Sequence, residues 1–177
     1  ENTALALQVD AISQGLANAS FLALPVFLIA SNHSEKFSLI ELAGLVIFIL
    51  AFIMESVADY QKLAFLTKMK KEGKQKQVCN VGLWKFCRHP NYFAEWMVWN
   101  GLIIASIPSY ISLFDSEVFW LWIFIGIALL YTSRIMYITL VYLTGAIPSE
   151  YYSAQKRPAY KAYQQSTNIF FPGPKKV

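Results

Sequence analysis

Apolar residues in this chain are gathered into long blocks, with the polar residues pressed into short stretches between them. Blocks at about 15–31, 37–58, 90–108 and 118–143 approach or exceed the roughly 17–25 residues a helix needs to cross a bilayer. The pattern predicts an all-α fold, a polytopic bundle of about four transmembrane helices forming one membrane domain over residues 1–177. The first block is the shortest and carries Pro25, which would kink it. Residues 1–14 show little pattern and suit a helix lying at the membrane surface. A polar loop with His33 and Glu35 separates the first two blocks, and His33 is expected to be a solvated loop residue. A basic loop over 66–89 leads to the third block, a loop with Asp115 and Glu117 leads to the fourth, and a basic C-terminal tail covers 145–177.

Charge sharpens this picture. Lys68, Lys70, Lys71, Lys74 and Lys76 fall in one loop, and Lys156, Arg157, Lys161, Lys175 and Lys176 in the tail. Four spans put both on the same side, which the positive-inside rule makes the cytoplasmic or matrix side. Composition agrees, since 56% apolar and 15% charged residues are too oily for an ordinary soluble domain. The net charge of +4 flanks apolar spans and covers no solvated face, so no nucleic-acid partner is expected. The two cysteines, Cys79 and Cys87, make no disulfide framework and are expected to be free thiols. With His89 they match no zinc spacing, and no metal is expected. The chain opens on Glu1 without a charged leader and small-residue cleavage site, so we expect no signal peptide and a chain that is processed or part of something longer.

The chemistry lies where polar groups enter apolar blocks. Pro90 suits the first position of a helix, because it has no amide hydrogen to lose there. A helix from Pro90 carries Asn91, Glu95 and Trp99 on one face at spacings of four, with Tyr92 adjacent and with Arg88 and His89 at its mouth. Glu55, Asp59 and Lys62 share a face of the second span, as a solvated helix end or as part of a site. Ionisable groups at membrane depth are expensive and mark function by default. Arg134, in the second half of the last span, would snorkel to the interface or pair with Glu55 or Glu95. The tail alternates cations with Tyr151, Tyr152, Tyr160 and Tyr163, a composition suited to packing on a nucleotide. Neither the dinucleotide-binding glycine fingerprint nor a P-loop is present, so side chains of helices and tail would have to hold it.

These residues carry a resemblance. Glu55-x-x-x-Asp59-Tyr60-Gln61-Lys62, then Gly82-Leu83-Trp84-x-x-x-Arg88-His89-Pro90-Asn91-Tyr92-Phe93-x-Glu95-x-x-x-Trp99, then Gly145-x-Ile147-Pro148-x-Glu150, Tyr160-x-x-Tyr163 and Phe171-Pro172 resemble the DUF1295 proteins of the steroid 5-alpha-reductase superfamily. The Arg-His-Pro-x-Tyr element alone is shared with isoprenylcysteine and phospholipid methyltransferases, and Ala58 to Lys62 favours the reductase side. The resemblance implies an integral-membrane, NADPH-dependent reductase of a steroid-like or other lipid enone, in the endoplasmic reticulum by default, with a mitochondrial or bacterial membrane open. It implies that Asp59, Arg88, Asn91, Tyr92 and Glu95 contact NADPH, with Lys62, His89, Glu150, Tyr160 and Tyr163 also on the cofactor side. Glu95 and Tyr92 are then the candidate acids at the substrate carbonyl, and Glu55, Trp99 and Arg134 fall on the substrate side or in pairing roles. Two departures stand out: Ala94 replaces the usual Gly, and the family's further spans before residue 1 are not in this sequence. A non-catalytic subunit of a larger membrane complex, and a methyltransferase, are the rival readings.

Overall fold

The computed structural model describes residues 2–17, 22–32, 34, 36–74, 76–115 and 118–176. Helices dominate them: α1 (Asn2–Ala17), α2 (Ala23–Ala30), α3 (Leu39–Lys71), α4 (Pro90–Ser112), α5 (Phe119–Ile138), α6 (Ala146–Lys156) and α7 (Tyr160–Ser166). The fold is all-α, as the hydrophobic blocks predict. Among the described residues three helices, α3, α4 and α5, are long and apolar enough to cross a membrane. The additional span expected over 15–31 falls partly on residues 18–21, which lie outside the described residues, as do His33, Glu35 and Glu117. Residues 2–14, expected at the membrane surface, form most of α1.

Helix ends differ from the expected bounds for identifiable reasons. α3 opens on a capping box: the Glu41 amide donates to Ser38 Oγ at 3.1 Å, and the Ser38 amide donates to Glu41 Oε2 at 2.7 Å. The Asn32 side-chain amide donates to the same buried carboxylate. α3 does not stop near Ala58 but runs on to Lys71, because nothing between Asp59 and Lys71 breaks a helix. It ends where Gly73 adopts a φ of 70°. There the Gly73 amide donates to the Lys70 carbonyl at 3.2 Å and Lys74 to Met69 at 2.8 Å, a Schellman closure. So residues 66–71 of the expected loop are helical, and a 3-10 turn, Gly82–Lys85, occupies its far end. α4 begins at Pro90, as predicted, and passes through Pro108 to Ser112. A proline removes one intrahelical bond, a loss that spans tolerate; just before it, Ser106 Oγ donates to the Ile103 carbonyl at 2.8 Å. α5 continues into wide π turns over Thr139–Leu143, filling the predicted block. The tail is not a plain extension, since it folds into α6 and α7.

Cα packing divides the chain into two compact units, residues 1–46 with 100–134, and residues 47–99 with 135–177. In the first, Gly44 sits against α4 so closely that a Cβ there would lie 2.3 Å from the Ala105 nitrogen and 2.7 Å from the Gly101 carbonyl oxygen. Only glycine allows that approach, and Gly101 and Ala105 supply small residues opposite it. Tyr110 stacks on Trp122 with ring centroids 4.8 Å apart, and Trp122 Nε1 donates to the Tyr110 carbonyl at 3.1 Å. The second unit holds an aromatic core of Phe93, Trp96, Tyr137, Phe170 and Phe171, with centroids 5.2 to 6.2 Å apart. Large apolar side chains stay exposed along the long helices, among them Ile49, Phe52, Phe124, Ile127 and Leu130, as lipid-facing surfaces require.

Candidate functional site

The site is built in the second unit. Arg88 and His89 sit just ahead of α4, where the chain is pinned by its own backbone: the Arg88 amide donates to the Asn168 carbonyl at 2.8 Å and Gly173 to Phe86 at 3.1 Å. The Arg88 guanidinium grips Glu150 of α6 with two parallel bonds, Nε to Oε1 at 2.6 Å and Nη2 to Oε2 at 3.0 Å. Its Nη1 donates to the carbonyls of Gln164, at 2.8 Å, and Thr167. Gln164 Nε2 donates to Glu150 Oε2 at 2.8 Å, and His89 Nε2 lies 3.0 Å from Oε1. Arg88, His89 and Glu150 are 7%, 4% and 5% exposed. Burial pushes the His89 pKa down, more strongly than Glu150 raises it. The imidazole is therefore neutral at pH 7, with Nε2–H donating to the carboxylate. One cation faces one anion and nearly every polar atom has a partner, so this cluster clamps the tail to the start of α4.

The 3-10 turn is held by α3. Trp84 Nε1 donates to the Ala58 carbonyl at 2.9 Å, and the Leu83 amide to Gln61 Oε1 at 2.9 Å. Tyr163 of α7 donates its hydroxyl to the Trp84 carbonyl. Lys62 Nζ lies 4.3 Å from the centre of the Trp84 ring, a cation–π contact.

A second group of residues is acidic. Glu55 and Asp59 of α3 and Glu95 and Tyr92 of α4 lie within electrostatic reach of one another. Among the described residues none of the three carboxylates forms an ion pair. Glu55, Tyr92 and Glu95 are half-buried and Asp59 is exposed. Among the described residues Asn91 Oδ1, one turn before Glu95, is buried without a hydrogen-bond partner, as are Asn80 Oδ1 and Ser109 Oγ. Such an acceptor is costly to leave unmade, and a water or a ligand donor would satisfy it.

Beside the clamp is a small cavity of about 50 Å³, lined by Lys62, Trp84, Arg157, Ser149, Ser153 and Tyr160 together with Arg88 and His89. Cys79 also borders it, and both cysteines are buried free thiols, as expected. Burial pushes the Cys87 pKa up to about 11 and raises that of Cys79 as well, so both stay protonated and inert. Burial also raises the phenols of Tyr160 and Tyr163, which remain hydroxyls.

Of the residues singled out by sequence, Arg88, His89 and Glu150 meet as one cluster, with Tyr163 next to it. Glu55, Asp59, Tyr92 and Glu95 meet as another. Lys62 and Tyr160 face the cavity. Trp99 is half-buried on α4, and Arg134 is exposed on α5 in the other unit. Sequence reasoning missed Ser149, Ser153 and Gln164, and it took Arg157 only as one basic tail residue. Arg157 had a legible signal, a lone Arg between an amphipathic stretch and Pro158, whereas nothing local distinguishes Gln164.

No curated protein and no solved structure matches this chain. The profile of the family described as a protein of unknown function, DUF1295, matches residues 3–167. With all but the two ends of the chain covered in one match, the protein belongs to the DUF1295 family.

Proposed function

We propose that this chain is a membrane-embedded reductase that uses NADPH to saturate the C=C bond of a steroid-like or other lipid enone. The observation that carries the reading is the meeting of Tyr92 and Glu95 with Glu55 and Asp59 beside an unpartnered Asn91 acceptor, on helices apolar enough to lie in a bilayer. The residues fit the cofactor. Asn91 Oδ1 lacks a donor that a carboxamide or ribose hydroxyl would supply, and the exposed Asp59 carboxylate is a second acceptor. NADPH, when bound, supplies a hydride to the β-carbon of the enone. Asn91, Asp59 and Lys62 orient the nucleotide, and Arg88, His89 and Glu150 act at a remove by holding the mouth of α4 in place. Tyr92 and Glu95 hold a proton at the substrate carbonyl oxygen, and the enol returns a proton to the α-carbon, completing the addition of H− and H+. Exposed apolar faces of α3 admit the substrate from the lipid. The endoplasmic reticulum is the membrane we assign.

The test is NADPH consumption by the detergent-purified full chain with a panel of enones. Glu95→Gln should lower turnover by about 10²-fold or more, the usual contribution of a positioned acid. Full turnover in E95Q would remove Glu95 from the acid role. A second reading, a non-catalytic subunit of a membrane complex, draws on the clamp, in which Arg88, His89 and Glu150 spend their polar atoms on one another. Co-purification with other membrane subunits, with neither NADPH binding nor turnover, would favour it.

A further inference from the structure

The C-terminal half of α3 carries a second surface, on the side turned away from Lys62. Two positions along a helix are about 200° of rotation, so Tyr60 and Ala64 both face away from Lys62. Lys68 and Lys71 continue their line at spacings of four and three. This face is left open: Tyr60 and Leu63 are 71% and 65% exposed, with Ala64, Thr67, Lys68 and Lys71 exposed beside them. Two hollows flank Lys68. One, of about 520 Å³, is lined by Tyr60, Leu63 and Thr67 and reaches Lys71. The other, of about 510 Å³, lies between α3 and the chain at Val81 and Gly82, and is lined by Tyr60, Ala64 and Phe65.

The chemistry along this face has a direction. Apolar side chains come first, next to the membrane-spanning part of α3, and cations come last, where the helix leaves it. Helical side chains lean toward the N-terminus, so the stems of Lys68 and Lys71 lie back toward the apolar strip. Residues 66–77 hold five lysines and one carboxylate, Glu72. Glu72 is taken up by Lys74 at 3.2 Å and by Lys68 at 4.0 Å. Among the described residues Lys70, Lys71 and Lys76 form no ion pair. A basic cluster immediately beyond a membrane span attracts anionic lipid, and here an apolar strip leads up to it from the bilayer side. An acidic soluble segment would meet the lysines but gain nothing from that strip. A molecule with an anionic head and an apolar tail meets both.

We propose that this end of α3 binds an anionic phospholipid of the adjoining leaflet, its acyl chain along Tyr60, Leu63 and Ala64 and its phosphate held by Lys68 and Lys71. The site shares no residue with the clamp or the acidic cluster, and it stands or falls apart from the reductase reading. To test it, the full chain is reconstituted in nanodiscs of equimolar phosphatidylserine and phosphatidylcholine and extracted into mild detergent, and the lipid retained per chain is counted by mass spectrometry. Wild type is compared with the double variant Lys68→Gln, Lys71→Gln and with Ala64→Trp, which fills the apolar strip without changing charge. Circular dichroism and size exclusion establish that each variant is folded.

Wild type should retain phosphatidylserine over phosphatidylcholine by more than about tenfold, at about fivefold for each lysine at the headgroup. The ratio should fall toward one in the double variant and in high salt, and A64W should lower it as well. Equal retention of the two lipids by wild type, or a preference that survives in the double variant, would overturn the site; should the double variant fail to fold, A64W decides in the same way. A polyglutamate peptide that binds wild type and is lost in the double variant, with no lipid preference, would make this a protein-docking face and overturn the lipid assignment.

Discussion

The two units of this protein are cohesive by different means. In the first, α3 meets α4 through Gly44, Gly101 and Ala105, with backbone nearly touching backbone and no charge involved. In the second, Arg88, His89, Glu150 and Gln164 tie three chain segments together through directed bonds. Lipid gives no hydrophobic drive for helix association, so close approach and dispersion do that work where the surroundings are oily. Where irregular backbone must be held, as around residues 86–89 and 164–173, only hydrogen-bonding groups can satisfy its donors and acceptors. The difference teaches that one part of the chain is specified by what is absent from its side chains, and the other by what is present.

The sharpest way to break this contrast is Glu150→Gln. It leaves the buried Arg88 charge without its counter-ion, and loss of one partner of a buried pair costs about 3–5 kcal/mol. Thermal unfolding in detergent should show that loss, and hydrogen exchange should show α6 and α7 opening. A normal melting curve would mean that the clamp is solvated. Next in size is Gly44→Val, which forces α3 and α4 apart within the first unit; overpacking of this kind costs roughly 1–3 kcal/mol. Its exchange signature should appear in residues 39–46 and 100–112 while α6 and α7 keep their protection. Equal loosening of both units would erase the distinction.

The smallest effect is one of pH. His89 in the folded chain takes up a proton only below its ordinary value of 6.5, because burial disfavours the charged ring. The unfolded chain protonates first as pH falls, so the contribution of His89 is complete above about pH 6.5 and declines below it, by at most ~1.4 kcal/mol per pH unit. His89→Gln should flatten that part of the stability–pH curve, and an unchanged slope would assign the titration to another group.

Much of the fold was legible because lipid demands simple patterns: long apolar blocks, Pro90 at a helix start, Lys-rich stretches on one side. The two acid pairs were legible too, since spacings of three and four put Glu55 with Asp59 and Tyr92 with Glu95 on single faces. The Ser38-x-x-Glu41 cap was written in the sequence and passed over. What could not be read was contact over distance. Glu150 stands 62 positions from Arg88, and no local period announces that they meet. The same is true of Lys62 and Arg157. The loop-like look of residues 66–71 reflected charge, and charge does not prevent a helix.

The length of α3 has one more consequence. Its 33 residues at roughly 1.5 Å each make a rod of about 50 Å, whereas the hydrocarbon core of a bilayer is about 30 Å thick. For a rod standing upright with Leu39 at one face of that core, Glu55 falls some 24 Å along, just inside the oil, and Lys62 some 35 Å along, past its edge. The six residues between them straddle the boundary between two solvents. A reactant that never leaves the lipid and one that never leaves the water can meet there, each still in its own phase.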